Sequence, residues 1–300
     1  MTEQETTFQA SEFMEVAPHT GELRRIFRVM FTRKIVIFGA VIIVLVALVA
    51  IFAPLLAPYN PYKTDLNAHL ENPSRAHLLG TDALGRDTLS RVIYGSRTSL
   101  MVGIVSIFIA ASIGMALGLL AGYYGGLVGA LIMRVIDALM AFPIILLALV
   151  IAALLGGGLF NAIIAIGIGL TAVYARLMSG QVLALKENDY ILASRGMGAT
   201  PLRIMLRHIF PNSFPTMIVL VTMQMGAAIL AEAGLSFLGV GIAPPGASWG
   251  SMVNDGYKFL LYNPALSFAP GVCIMLVVFA FNMVGDGLRD ALDPRLRGAV

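Results

Sequence analysis

Long stretches without a single charged residue constrain this chain more than any motif in it. No Asp, Glu, Lys or Arg occurs from Ala138 to Ala175, and similar runs cover Ile35 to about Ala57, Thr98 to Gly126, Pro211 to about Ala231, and about Ser267 to Val284. A helix needs about 20 apolar residues to cross roughly 30 Å of hydrocarbon, so each run is a candidate crossing. Gly156-Gly157-Gly158 splits the longest run into a third and a fourth span, which makes six in all. The seven apolar residues after Gly126 are too few for another crossing. The stretch from Ala233 to Asn254 is also uncharged, but it holds Pro244-Pro245 and five glycines. Irregular backbone is costly against lipid, so this stretch is expected as a surface or re-entrant segment packed on protein.

Composition agrees with an all-α membrane protein. The 300 residues are 58% hydrophobic and 12% charged, against about 25% charged in soluble chains. The net charge of +3 is too small to suggest nucleic acid. Cys273 lies in an apolar run and reads as a small buried hydrophobe. The first 34 residues are polar and carry Glu3, Glu5, Glu12, Glu15 and Glu22, so no cleaved signal is expected.

Six spans put both termini on one side, and the basic residues choose it. With the N-terminus inside, fourteen of the twenty Lys and Arg fall in cytoplasmic segments, among them Arg24, Arg25, Arg28, Arg33, Lys34, Arg134, Arg176, Lys186, Arg195, Arg203, Arg207, Arg289, Arg295 and Arg297. Both termini are therefore expected in the cytoplasm. The implied division is a tail at 1–34, a first span at 35–57, an extracytoplasmic loop at 58–97, a core of five spans at 98–286, and a tail at 287–300. The 58–97 loop carries Lys63, Arg75, Arg86, Arg91 and Arg97, offset in large part by Asp65, Glu71, Asp82 and Asp87, and is long enough to cross as a small folded element.

Between the fourth and fifth spans lies a basic segment, 186–211. Asn188 or Asp189 is placed to cap a short helix, and Gly196 and Gly198 to end it in a left-handed turn. Thr200 and Pro201 suit the N-cap and first position of a second helix, Leu202 to Ile209, which Pro211 closes. Spacing alone serves a loop that merely enforces topology equally well.

This segment resembles the loop motif of the permease subunits of binding-protein-dependent ABC importers, Glu-Ala-Ala, three residues, Gly, nine residues, then Ile-x-Leu-Pro. Here Leu192-Ala193-Ser194 precedes Gly198, and His208-Ile209-Phe210-Pro211 follows nine residues later, so Leu192 and His208 depart from the motif. Three further stretches resemble the second permease of dipeptide, oligopeptide, nickel and glutathione importers: "HLLGTDALGRDTLSRVIYGSRTSL" from His77, "LAEAGLSFLGVGIAPPGASWGSMV" from Leu230, and "NMVGDGLRDALDPRLRG" from Asn282. The likeness runs from about residue 28 to the end.

The resemblance implies a type I ABC importer transmembrane domain of six helices, with 186–211 as a coupling helix seated in a cleft of a separate ATPase. Asp189, Tyr190, Ala193, Ser194, Arg195, Met197, Gly198, Pro201 and Arg203 would carry that contact. Tyr190, Ala193 and Met197 would form one apolar face, and Arg195 would meet acidic groups at the rim. It further implies a homologous second permease, two ATP-binding subunits, an extracytoplasmic solute-binding protein, and a bacterial inner membrane. Di- or oligopeptides are the leading cargo, with nickel or glutathione as alternatives. Lys34, Lys63, Lys186 and Lys258 are the only lysines and none follows a glycine, so no phosphate loop exists and energy is expected from a partner. No catalytic residue, metal site or cofactor is expected.

Polar groups at membrane depth are candidates for the path. Glu232, near the outer end of the fifth span, could line a gate or reach out to water. Gln224 and Asn282 are path candidates too, although these amides and Asn161 equally suit helix-to-helix hydrogen bonds. Asp137 is expected to pair with Arg134 one turn earlier, and Asp286 and Asp293 with Arg289 on a helix that Pro294 stops. Arg86 and Asp87 belong to a folded outer element that could touch the binding protein. Trp249 suits an interfacial anchor, and Gly114, Gly118 and Gly122 suit close helix packing. A stand-alone secondary transporter would show internal repeats, and none is evident. A membrane hydrolase fits poorly, because Gly234-Leu235-Ser236-Phe237-Leu238 lacks the second glycine of the nucleophile motif, and His19, His69, His77 and His208 fall outside the spans.

Overall fold

Lipid offers the backbone no hydrogen bonds, so a chain of this hydropathy satisfies them within helices. The computed structural model describes residues 30–292 and is helical almost throughout. Arg24, Arg25, Arg28, Asp293, Pro294, Arg295 and Arg297 lie outside the described residues, as do most of the 1–34 tail and the end of the 287–300 tail.

The first span is helix α1 (Lys34–Ile51), which breaks at Phe52 before the short α2 (Ala53–Leu56). Pro54 explains the break, since proline fits a first helical turn but not a helix interior. Helix α3 (Thr88–Tyr124) has 37 residues and is about 55 Å long. It begins ten residues before the apolar run, because Asp87 caps it by accepting from the Ser90 backbone and hydroxyl at 2.8 and 2.7 Å. The third span differs from expectation. Two arms, α4 (Gly126–Met140) and α5 (Ile144–Leu154), meet at 94°, broken where Pro143 lacks an N–H. The apolar residues after Gly126 are thus the start of a helix that continues through Arg134 and Asp137.

Helix α6 (Leu159–Leu185) follows a turn in which Gly156, Gly157 and Gly158 all have positive φ, at 93°, 69° and 90°. L side chains resist that conformation. Asn161 donates to the carbonyls of Leu155 and Gly157, both at 2.7 Å, so it secures this turn. After α6 come α7 (Asp189–Gly196), α8 (Pro201–Ile204), a π turn at Met205–Ile209, α9 (Phe210–Phe237), α10 (Trp249–Tyr257) and α11 (Ala265–Leu292).

Contacts fix the direction of each pass. A Cβ on Gly114 would meet the Thr171 carbonyl at 2.5 Å, and one on Gly122 would meet the Ser179 carbonyl at 2.9 Å. The Ser106 hydroxyl donates to the Ile163 carbonyl at 3.0 Å. Numbers rise together on α3 and α6, so the two run parallel, and the bent α4–α5 pair must return the chain between them. Helix α9 opposes α3, with Glu232 beside Ser99 and Ile229 beside Gly103. Helix α11 opposes α9 through Val278 on Gly226 and Met223 on Gly285, and α1 opposes α11 through Gly39 on Ala280 and Val36 on Gly287. Among the described residues five helices are long and apolar enough to cross a membrane, and the bent pair, taken as one span, makes a sixth. The start of α1, the end of α11 and the 186–211 segment share one end, where Arg33 pairs with Asp290 at 2.5 Å.

At the far end the loop before α3 folds on itself. Arg86 binds Asp82 at 2.6 Å and Asp87 binds His77 at 2.9 Å, and Arg86, Asp87 and Arg91 are buried. Arg86 and Asp87 therefore hold the loop together instead of facing a partner. Trp249 is also buried, donating to the Val92 carbonyl at 3.0 Å and packing against Gly95, so it is no interfacial anchor. The uncharged 233–254 stretch packs on protein: Gly250 lies against the Ala233 backbone, and α10 rests on α9 and α11.

Candidate coupling surface and path residues

Helix α7 forms as the sequence indicates, with Asn188 at its N-cap, Asp189 in the first turn and Arg195 in the last, both favourable to the helix dipole. Ile191 and Ser194 face inward. Ile191 joins a core of Met178, Val182, Ile204, Met205, Ile209 and Met217, and the Ser194 hydroxyl lies 3.5 Å from His208 Nε2. Tyr190, Leu192, Ala193 and Met197 are exposed, Met197 at 82%. Tyr190, Ala193 and Met197 thus share one open apolar face. Arg195 turns back, its guanidinium 5.8 Å from the centre of the Tyr123 ring at the end of α3.

Gly198 has φ +81° and links α7 to α8, whereas Gly196 is still helical. Thr200 accepts from the Arg203 backbone at 3.4 Å and Pro201 follows it at the first helical position. Leu202 and Leu206 are exposed beside Arg203, and with Arg207 and Pro211 they line a shallow open groove.

Pro211 does not close this helix. Pro201–Phe237 runs as one 37-residue helical stretch, and the π turn at Met205–Ile209 comes just before the proline. A wider turn makes room for the ring, and Asn212 and Ser213 donate side-chain bonds to the His208 and Ile209 carbonyls at 2.5 and 3.0 Å. Helix α8 is therefore continuous with a whole crossing, and the exposed face of α7 joins it through the Gly198 turn.

Among the described residues no side-chain hydrogen bond joins the three path candidates to one another. Glu232 is fully buried and accepts from Ser236 at 2.8 Å and Ser99 at 3.3 Å, with Ser248 3.4 Å from Ser236. It neither reaches water nor lines an open channel. Instead it ties α9 to α3 and to the segment before α10. Gln224 is half-buried on α9 and Asn282 exposed on α11, and among the described residues neither makes a side-chain hydrogen bond.

Asp137 pairs with Arg176 on α6, not with Arg134. A pair one turn apart is favoured on an isolated helix, but here the packing of Ile136 against Ala172 and Ala175 sets Asp137 beside α6. Among the described residues Asp286 makes no ion pair with Arg289. The Glu232–Ser99 bond and the Asp137–Arg176 pair join residues 133 and 39 positions apart, so no local spacing marked them.

Known proteins share this architecture. Residues 114–298 match the family of binding-protein-dependent transport system inner membrane components, and residues 22–73 match the N-terminal TM domain of oligopeptide transport permease C. The glutathione transport system permease protein GsiD of Escherichia coli O6:K15:H31 is 45% identical over 87% of this chain and 86% of its own. The dipeptide transport system permease protein DppC of Alkalihalophilus pseudofirmus is 44% identical over 91% of this chain and 90% of its own. An inward-facing form of the MetNI methionine ABC transporter has a chain that aligns with TM-score 0.56 at 22% identity, covering 68% of this chain and 98% of that one, which supports the fold. With the helix order, the parallel α3–α6 pair and these matches in agreement, the chain belongs to the family of binding-protein-dependent transport system inner membrane components and is a multi-pass permease subunit of an ABC importer.

Proposed function

We propose that this permease forms half of the translocation path of an importer for di- or oligopeptides. It sits in a bacterial inner membrane with both termini cytoplasmic and pairs with a homologous second permease. An extracytoplasmic solute-binding protein delivers cargo, and two ATP-binding subunits drive the cycle. The 186–211 segment is the contact with one of them. The observation that supports this reading most is the exposed apolar face of Tyr190, Ala193 and Met197, held at the end of the continuous Pro201–Phe237 helix. An apolar patch with a charged rim, of Arg203 and Arg207, suits a protein cleft, and displacement passed through the Gly198 turn is carried by the Pro201–Phe237 helix to the far end of the bundle.

Glutathione is the second reading of the cargo, favoured by the 45% identity to a permease named for it. Uptake by the complete importer in proteoliposomes separates the two. Labelled dialanine should accumulate with ATP and be competed by other dipeptides. Competition by glutathione alone would establish the second reading.

Orientation is tested by reporters active only in the cytoplasm. Fusions after Val300 or between Lys186 and Arg203 should be active. Insertions at Lys63 or at Leu261, which is 97% exposed at the far end, should be silent. Activity at Lys63 would reverse the topology.

A further inference from the structure

At the far end of the bundle, the loop before α3, the first turns of α3, and α10 with the residues after it enclose a cavity of about 260 Å³. That is close to the lower end of the roughly 300–1,000 Å³ of small-molecule sites. Met252, Phe259 and Leu266 give it apolar walls, and Arg86, Thr88 and Arg91 stand among them.

The fold leaves part of this polar lining unused. Arg86 and Arg91 share one carboxylate, Asp82, at 2.6 and 3.4 Å. Arg91 also donates to the Pro61 and Pro245 carbonyls at 3.2 and 3.5 Å. The Arg86 side chain is only 6% exposed and is tied through Nε alone, so among the described residues its two terminal nitrogens make no hydrogen bond. Thr88 is 1% exposed, and its hydroxyl has no partner either. Buried donors are rarely left without acceptors. The other charged groups of the lining, Lys258 and Asp255, are exposed and make no ion pair among the described residues. Arg86, Arg91 and Lys258 thus face Asp82 and Asp255, and the lining carries a surplus positive charge.

We infer that this cavity is a binding site for a small carboxylate, held by the terminal nitrogens of Arg86 and the hydroxyl of Thr88. A carboxylate offers two acceptors to the planar fork of a guanidinium and accepts from a hydroxyl as well. Its alkyl part lies on Met252, Phe259 and Leu266. Water would satisfy the hydroxyl but would leave the surplus charge in place. The site is independent of which cargo the importer carries.

The test uses the full chain in its membrane complex, purified in nanodiscs so that both faces meet the solution. Cys273→Ala removes the only cysteine of this chain, and Leu84→Cys places a thiol at a 42% exposed position on the cavity lining. N-ethylmaleimide, which is uncharged, should modify that thiol. Saturating sodium propionate should slow the reaction at least threefold relative to sodium chloride, whereas propionamide, similar in shape but uncharged, should not. Thr88→Val should lose most of this protection while its labelling without propionate keeps the parent rate, and Thr88→Ser should keep the protection. A purely structural role does not give that split, because the Thr88 hydroxyl bonds to nothing in the fold. Protection by dialanine but not by its C-terminal amide would identify the carboxylate end of a peptide as a ligand, and protection by propionate alone would identify a free acid; both bear the inference out. Equal protection by propionamide or chloride, no protection by propionate or dialanine, or full protection in Thr88→Val would overturn it. A Leu84→Cys thiol that does not react would overturn it too, because the cavity would then be closed to solutes.

Discussion

Gly198→Val is expected to leave the ATPases bound but to separate their hydrolysis from uptake. A Cβ at position 198 meets nothing within 4 Å, so no clash enters the argument. The effect comes from φ +81°, which costs an L residue about 1–3 kcal/mol, most for a β-branched one. The turn relaxes by rotating φ, and α8, with the helix continuous to Phe237, swings relative to α7. Gly198→Asn should keep coupling, because Asn tolerates the left-handed region. Ala193→Glu acts on the same contact by another route. Ala193 is exposed on the apolar face of α7, and a carboxylate forced unpaired into a docked interface costs about 2–5 kcal/mol. Docking should weaken more than tenfold, and uptake and copurification should fall together. Hydrolysis and uptake measured on the same proteoliposomes separate the two variants. Parent-like transport by both would mean that the segment only sets topology.

Gly118→Leu is expected to prevent α3 from seating on α6. A Cβ there would press into the Ala175 carbonyl and lie 2.8 Å from Met178 Cβ and 3.0 Å from the Ser179 nitrogen. Overpacking costs about 1–3 kcal/mol when side chains give way, and here the obstacle is backbone on a buried face. The two helices must part along a seam that also holds Gly114 and Gly122, which loosens the core around Tyr174 and Met178. A loss of about 3 kcal/mol lowers a melting midpoint by roughly 10 °C, and purified Gly118→Leu should show at least that drop or fail to accumulate. Gly180→Ala, on the open side of the same α6 helix, should melt like the parent. A parent-like midpoint for Gly118→Leu would contradict the close parallel packing that requires α4–α5 to cross back.

The spans were legible wherever the sequence simply lacks charge, as in α1, α6 and α11. The first arm of the third crossing was hidden by Arg134 and Asp137, which interrupt the apolar run although both belong to one helix. The start of α3 was hidden in the same way by Arg91 and Arg97, whose polarity masked a helix begun by the Asp87 cap. Pro211 misled because the rule that proline ends a helix is local, whereas a π turn upstream and the Asn212 and Ser213 side chains accommodate it. On the 186–211 segment the caps at Asn188 and Thr200 and the left-handed Gly198 were readable, because those conformations depend on the residue itself. The inward turn of Ser194 and the backward reach of Arg195 to Tyr123 depend on α3 and on the Met205–Ile209 turn, and no spacing within the segment encodes them. Glu232 and Trp249 were misplaced for a related reason. Their partners Ser99 and Val92 lie more than 130 residues away, so burial by packing could not be told from exposure at an interface.

Cross-linking from position 197 tests the central claim most directly. Met197, at the C-cap of α7, is the most open apolar side chain of the 186–211 segment, and Leu261 is open at the opposite end of the bundle. With Cys273→Ala, Met197→Cys in the complete importer should join to an ATP-binding subunit through a short thiol-to-amine linker, in a yield that changes with nucleotide, while Leu261→Cys gives no such product. An assembly that copurifies intact and transports, yet yields no ATPase product from position 197, would contradict the assignment of 186–211 as the segment that reads ATP hydrolysis into the membrane.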